Sequence, residues 1–223
     1  MTAYRHPRQE RSRRTFDALL DATGYLLAEV GIERISTNLI CERAKVTPPA
    51  LYRYFDDKYA ILFALAERLM RRQNVAMEAW VAEFADQGIE ALANNMIVLL
   101  QTMSEITGSQ PGAIWIMRAL RSVPSLTPIR LYSHNFVTDL LTDIFYRYLP
   151  QVDRATLRRR TRLSVEMAYS MDEMFKEEEA DQNLVLADAA FVFRSMFSFP
   201  EYGLCLTPDG SAVVRCHKND SDS

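Results

Sequence analysis

Residues 36–58 read Ser-Thr-Asn-Leu-Ile-Cys-Glu-Arg-Ala-Lys-Val-Thr-Pro-Pro-Ala-Leu-Tyr-Arg-Tyr-Phe-Asp-Asp-Lys. Ser36 is an N-cap for a helix over 37–44, because its hydroxyl accepts an orphan N–H of the first turn. Lys45-Val46 makes a tight turn. Thr47 is a second N-cap candidate, and Pro48 falls at the first helical position, where a missing N–H costs nothing. The pattern predicts a two-turn helix over 48–55 whose exposed face carries Tyr, Arg and Lys. Two short helices around a tight turn form a helix-turn-helix, the device that lays one helix in the DNA major groove.

Outward from this stretch the pattern stays helical. Phe16, Leu19, Leu20, Leu26, Leu27 and Val30 recur at 3.6-residue spacing and predict a helix over 14–30, stopped by Gly31. Between Ala50 and Gln87 there is neither glycine nor proline, so a long helix from Lys58 to near Gly88 is permitted. Further amphipathic helices are expected over 89–107, from about 113 to Arg121, and over 129–149, 154–178 and 183–198. Period-two runs of valine and isoleucine are scarce, which argues against a sheet. The expected fold is all-α: a basic arm and three-helix module over 1–56, a larger helical domain over 57–206, and a polar, disordered tail over 207–223.

Charge is uneven. The net is −3, yet residues 1–58 hold ten Lys/Arg against eight Asp/Glu. The run Arg5, Arg8, Arg11, Arg13, Arg14 faces only Glu10. A basic amino end on an acidic body suggests that this end meets a polyanion; a solvated tail is the competing reading. Three cysteines, Cys41, Cys205 and Cys216, are far apart and odd in number. We therefore expect no structural disulfide, no zinc site and a cytoplasmic setting. No run approaches the roughly 18 apolar residues of a membrane span, and neither a signal peptide nor membrane association is expected. No GxSxG, HExxH or P-loop pattern occurs, so neither enzymatic activity nor a cofactor is expected.

The segment Gly31–Lys58 resembles the tetracycline-repressor (TetR) family of bacterial regulators through Gly31, Ser36, Ile40, Ala44, Val46, Thr47, Leu51, Tyr52, Tyr54, Phe55 and Lys58. Cys41, Thr37 and Leu39 depart from the family pattern, and Lys45 stands where the family has a turn glycine. If that position needs positive φ, lysine bears a strain of roughly 1 kcal/mol; it could instead reach a phosphate. The resemblance implies that the helix over 48–55 enters the groove. The DNA-contact candidates are Ser36, Lys45, Thr47, Pro48, Pro49, Tyr52, Arg53, Tyr54 and Lys58, with Arg11, Arg13 and Arg14 of the arm. Tyr52 and Lys58 suit phosphates, and Arg53 can bond guanine O6 and N7 together. The competing reading packs Tyr52 and Tyr54 in the small core and leaves Arg53 and Lys58 solvated.

The resemblance also implies a homodimer on a palindromic double-stranded DNA operator and control by a small-molecule effector, most simply as a repressor. Met103, Trp115, Met117, Arg121, Tyr132, His134, Asn135, Glu166 and Tyr169 are the polar-aromatic candidates for an effector cavity. Leu163, Met167, Met171, Leu186, Ala190, Phe193 and Phe197 are candidates for the dimer interface. The rival reading is a helical small-molecule-binding protein or enzyme with a non-functional helix-turn-helix.

Overall fold

The computed structural model describes residues 4–216 apart from 179 and 197, with backbone alone for Lys176 and Glu201. Among the described residues are ten α-helices and one two-stranded hairpin, so the chain is all-α as expected. Packing divides it into two units. One comprises Met1–Gln73 and Glu105–Ser133, the other Asn74–Ser104 and His134–Ser223. The first unit takes in residues 105–133 besides the amino-terminal helices expected there.

In the first unit α1 (Glu10–Arg34) begins earlier than the hydrophobic pattern alone indicates. Arginine is a good helix former, and Glu10 favours the positive end of the helix dipole. Glu10 also pairs with Arg14 one turn on, at 3.7 Å. Part of the expected arm is therefore helix, and Arg11, Arg13 and Arg14 stand exposed on its first turns. Gly31 interrupts α1 at φ 74°, ψ 172°, a conformation that only glycine adopts without strain. α2 (Thr37–Ala44) and α3 (Pro48–Tyr52) follow. α3 is shorter than the two turns expected, because Tyr54 N–H and Phe55 N–H both donate to Leu51 O in a closing turn. Phe16, Leu19, Leu20, Leu27, Ile40, Leu51 and Phe55 are buried at its core. The Phe16 and Phe55 rings stack at 5.0 Å. α7 (Ala113–Ser122) packs on α1 in the same unit.

α4 (Lys58–Phe84) matches the long helix read from the sequence. The helix expected over 89–107 is two, α5 (Ile89–Asn94) and α6 (Met96–Gly108). The Asn95 side-chain amide donates to Ala91 O at 2.9 Å, and the Asn95 backbone carbonyl accepts from Trp80 Nε1 at 3.3 Å. These bonds share carbonyls with the helical ladder at Asn95, whose φ −96°, ψ 13° ends α5. α8 (Thr127–Tyr148), α9 (Arg154–Glu177) and α10 (Gln182–Met196) complete the helices. In the second unit Leu92, Leu99, Leu141, Phe145, Leu157, Phe193 and Phe199 belong to one buried cluster.

The region from Thr207, expected as mobile tail, differs over 207–216. Strands β1 (Leu204–Leu206) and β2 (Val213–Arg215) pair antiparallel, and Cys205 is disulfide-bonded to Cys216. This corrects the expectation of no structural disulfide: residues 11 apart in sequence meet across a hairpin whose turn the composition does not reveal. Residues 217–223 of the expected tail lie outside the described residues. The loop is tied by Asp209, whose Oδ1 accepts from the Thr207 hydroxyl at 2.6 Å, Ser211 N–H at 3.0 Å and the Ser211 hydroxyl at 2.8 Å. The Thr207 bond foremost, with the two from Ser211, holds the Asp209 carboxyl down at about 2. A carboxyl depressed in the folded state stabilises it above the unfolded value of about 4 and loses that contribution as pH falls toward about 2. Protection of the Ser211 and Ala212 amides, relative to their intrinsic exchange at each pH, is expected to fall across that window in the native chain and to stay flat in Asp209→Asn.

Candidate nucleic-acid interface

The helix-turn-helix is built as its sequence suggests. The Ser36 hydroxyl accepts from Leu39 N–H at 3.3 Å and caps α2. Lys45 takes φ 53°, ψ 43°, the left-handed position that ends α2, and its N–H donates to Glu42 O at 3.2 Å. Lysine therefore occupies the conformation that glycine prefers, at a cost of roughly 1 kcal/mol, while its side chain is exposed. Thr47 sits at the N-cap of α3 without a side-chain capping bond. Its carbonyl instead accepts from Ala50 N–H at 2.9 Å. Lys45, Thr47, Pro48, Pro49, Tyr52 and Arg53 all reach the surface. The Tyr52 hydroxyl is 3.1 Å from the Thr37 hydroxyl, which couples α3 to the start of α2.

Two candidates change role. Tyr54 is only 5% exposed, its ring edge-on to Phe16 at 5.7 Å, so it packs the core instead of joining Tyr52 at the surface. Lys58, expected at a phosphate, donates its ammonium to Ile32 O at 3.2 Å and Ile35 O at 3.3 Å, with Glu33 O at 3.5 Å. Carbonyls at the end of a helix lack helical partners, and a cation satisfies them. Sequence spacing alone does not show that the α1 terminus lies within reach. Lys58→Met is expected to lower stability by about 1–2 kcal/mol, read as a shifted urea midpoint at unchanged m. The salt dependence of DNA binding should not change with it.

Thr37, at the start of α2, also borders this face through its bond to Tyr52, and the sequence marks it only as a departure from the family pattern. Arg5 and Arg8 belong to the charge run but carry no signal of a specific place. Arg5 N–H donates to Tyr54 O at 2.9 Å, and its guanidinium pairs with Asp56 at 3.0 Å. This places the chain before α1 beside α3. Arg5, His6, Arg8, Gln9, Arg53 and Tyr54 line a cleft of about 410 Å³. On the other side, Arg43 grips Glu29 with both guanidinium nitrogens, at 2.8 and 2.5 Å. That hydrogen-bonded arginine holds the Glu29 carboxyl below its ordinary range. The module is thus closed on its core side and cationic and hydroxyl-bearing outside.

The cavity candidates do not gather into one group. Trp115, Met117, Arg121 and Tyr132 belong to the first unit; Met103, His134, Asn135, Glu166 and Tyr169 belong to the second. Tyr132 is 73% exposed and Met117 is buried in packing, so neither fits a cavity wall within its unit. The Trp115 ring carries the Arg118 guanidinium at 5.1 Å. In the second unit a polar cluster forms. His134 Nδ1 is 2.9 Å from Glu166 Oε1, Arg162 is ion-paired to the same carboxylate, and the Tyr169 ring stacks on the imidazole at 4.1 Å. Burial pushes the Glu166 carboxyl up, but hydrogen bonds from His134 and Arg162 outweigh it and leave its pKa lowered. Asn135 accepts from Arg158 at 3.4 Å.

Three of the seven interface candidates point inward: Leu186, Ala190 and Phe193 are 6, 1 and 2% exposed. They are corrected to core residues, since α10 turns that face to the interior of the second unit. Met171 packs partly against the buried cluster there. Leu163 and Met167 are exposed, and α10 adds Leu184 and Phe191. Phe197 lies outside the described residues.

A helix-turn-helix with an outward basic face on an all-helical chain defines a DNA-binding transcriptional regulator. Residues 19–65 match the model of the bacterial regulatory proteins of the tetR family, so the helix-turn-helix segment is similar to that family's. It is 45% identical over 49 residues to the class G tetracycline repressor protein of Vibrio anguillarum, a match covering 22% of this chain and 23% of that one. It is 25% identical over 173 residues to an uncharacterized HTH-type transcriptional regulator of Mycobacterium tuberculosis, covering 77% of this chain and 81% of that one. Its fold resembles that of a TetR-family transcriptional regulator from Streptomyces coelicolor, with TM-score 0.52 and 24% identity over 82% of this chain and 97% of the other. Among the described residues no helix is long and apolar enough to cross a membrane, and no cluster of His, Cys, Asp and Glu could hold a metal.

Proposed function

We propose that the chain works as a homodimeric repressor that binds a palindromic operator and releases it when a small molecule binds. The observation that carries the reading is the outward set Lys45, Thr47, Tyr52 and Arg53 around a turn that Lys45 closes in the left-handed conformation. Arg53 reads a base edge; Lys45, Thr47 and Tyr52 hold phosphates. Arg11, Arg13 and Arg14 add charge along the neighbouring backbone.

So few base-reading groups need a second copy for useful specificity. Leu163 and Met167 on α9 with Leu184 and Phe191 on α10 supply an apolar face for it. The effector is proposed to bind against His134, Arg162, Glu166 and Tyr169, which offer a stacking face and both signs of charge. Binding there shifts the two recognition helices from the roughly 34 Å spacing of successive major grooves. Both halves then no longer dock together, and the gain from bivalency disappears.

Sedimentation of the native chain should give the dimer mass, and gel shift should retard palindromes flanking its gene at low salt. Leu184→Glu is expected to yield monomers and weaken operator binding by about a hundredfold or more, since bivalency supplies that much. A monomeric native chain that still discriminates operators would sink the proposal.

A further inference from the structure

The Cys205–Cys216 bridge is unusual for a protein that acts on DNA. Such a protein works beside the chromosome, where thiol pools are normally reducing, and disulfides that form there are mostly transient and redox-sensing. Cys205 and Cys216 are bonded across the β1–β2 hairpin with Cα atoms 5.4 Å apart, and neither residue is buried. Cys41 is different: it is free and buried, and burial pushes its thiol pKa up. Thiol chemistry therefore concentrates at the hairpin.

Cys216 also lines a cleft of about 580 Å³ with Gln87, Glu90, Gln151, Tyr202 and Arg215. That volume falls in the range that accepts small molecules. Glu90 and Arg215 stand 3.7 Å apart as an exposed ion pair, able to meet the ammonium and carboxylate of a zwitterionic thiol such as glutathione.

The hairpin has something to transmit. Three-residue strands are marginal without a staple. β2 is seated by Val213, fully buried, whose N–H donates to Asn94 Oδ1 at 2.9 Å. The loop reaches α10: Arg194 Nε donates to Gly210 O at 3.0 Å. Gly210 lies so close to the Phe191 ring that an added Cβ would be 2.2 Å from Cε2.

We propose that Cys205–Cys216 is a site of reversible exchange with a low-molecular-weight thiol seated in the cleft beside Cys216, and that its state sets how firmly the hairpin holds α10. In the reducing direction a thiolate attacks one bridge sulfur. The S–S bond breaks, a mixed disulfide forms at that sulfur, and the other cysteine leaves as thiolate and takes a proton. A second thiol attacks the mixed disulfide and releases the free disulfide. Two thiols are oxidised, and the bridge gains two electrons and two protons. Reduction loosens β2 and frees Phe191 and Arg194. Any effect on DNA affinity rests on the proposed dimer face of α10; the thiol chemistry does not.

The test uses the full-length native chain in graded mixtures of reduced and oxidised glutathione, quenched by acid and read by differential alkylation and mass spectrometry. Hydrogen exchange and gel shift are followed in the same buffers. The pair is expected to pass from oxidised to reduced while Cys41 stays unlabelled. Exchange in residues 204–215 and in α10 should then rise about fivefold or more, as a locally opened segment does. The Cys205→Ser, Cys216→Ser double variant should behave like the reduced chain in every buffer. Arg215→Ala should slow reaction with glutathione about threefold or more but leave reaction with 2-mercaptoethanol unchanged; equal slowing with both overturns the seat in the cleft. A bridge that resists excess reduced glutathione until the chain unfolds overturns the redox site, as does reduction without a change in exchange. Reduction that loosens α10 yet leaves DNA binding untouched supports the redox site and counts against α10 as the dimer contact.

Discussion

Arg53→Ala lowers affinity for the operator by about tenfold or more per half-site and relaxes preference at one base position in each, while helix content and melting temperature stay close to native. Removing the proposed bidentate arginine–guanine pair costs about 1–3 kcal/mol, and the proposed dimer suffers this twice. The side chain can change without harm to the fold. It is exposed at the end of α3, and its guanidinium rests only loosely over the Tyr54 ring, 5.8 Å from the centroid. The carbonyl that accepts from Arg5 is backbone and survives the substitution. Lys45→Ala offers the contrast. A phosphate partner carries no sequence information, so binding weakens evenly across sequences and the salt slope falls by about one for each phosphate no longer neutralised. Competition gel shifts on single-base operator variants separate the two. Equal weakening on every variant with Arg53→Ala would remove it from base readout.

Gly24→Ala and Gly112→Ala are the substitutions expected to damage the fold most. A Cβ at Gly24 would lie 2.5 Å from Pro111 O, and one at Gly112 would lie 2.2 Å from Gly24 O. α1 and the segment entering α7 thus meet backbone to backbone within the first unit. A carbonyl held in a packed turn cannot swing aside as a side chain can, so the two elements must separate. Overpacking of this kind costs about 1–3 kcal/mol. Gly112→Ala adds the penalty of its φ of +68°, roughly another 1 kcal/mol. At about 2–4 °C per kcal/mol for a chain of this size, Gly24→Ala should lower Tm by roughly 2–12 °C. Gly31→Ala is the control. Its φ is +74° but nothing lies within 4 Å, so only the backbone penalty of about 1 kcal/mol remains. Calorimetry showing Gly24→Ala no worse than Gly31→Ala would contradict the close approach.

The helix-turn-helix is legible in the sequence because each of its signals is local. Ser36 caps within three residues, Pro48 occupies a position defined by its own missing N–H, and the apolar repeat of α1 and α4 reports one face of one helix. Local signals mislead where two remedies compete for one group. The Lys58 ammonium could meet phosphate or protein carbonyl, and in the structure the carbonyls at the α1 terminus lie within its reach. Tyr54 could face out or in, and Phe16 draws it inward. Arg11, Arg13 and Arg14 look like an arm as long as charge is weighed without the Glu10–Arg14 helical pair.

By sequence alone this chain determined most of its helices, the turn that joins α2 to α3 and the exposed basic residues around it, since those follow from backbone propensity, capping and period. Only the tertiary structure decided which apolar residues of α10 face the core, that Gly24 and Gly112 meet backbone to backbone, and that Cys205 finds Cys216. Such pairings join positions whose separation in the chain carries no trace of their distance in space.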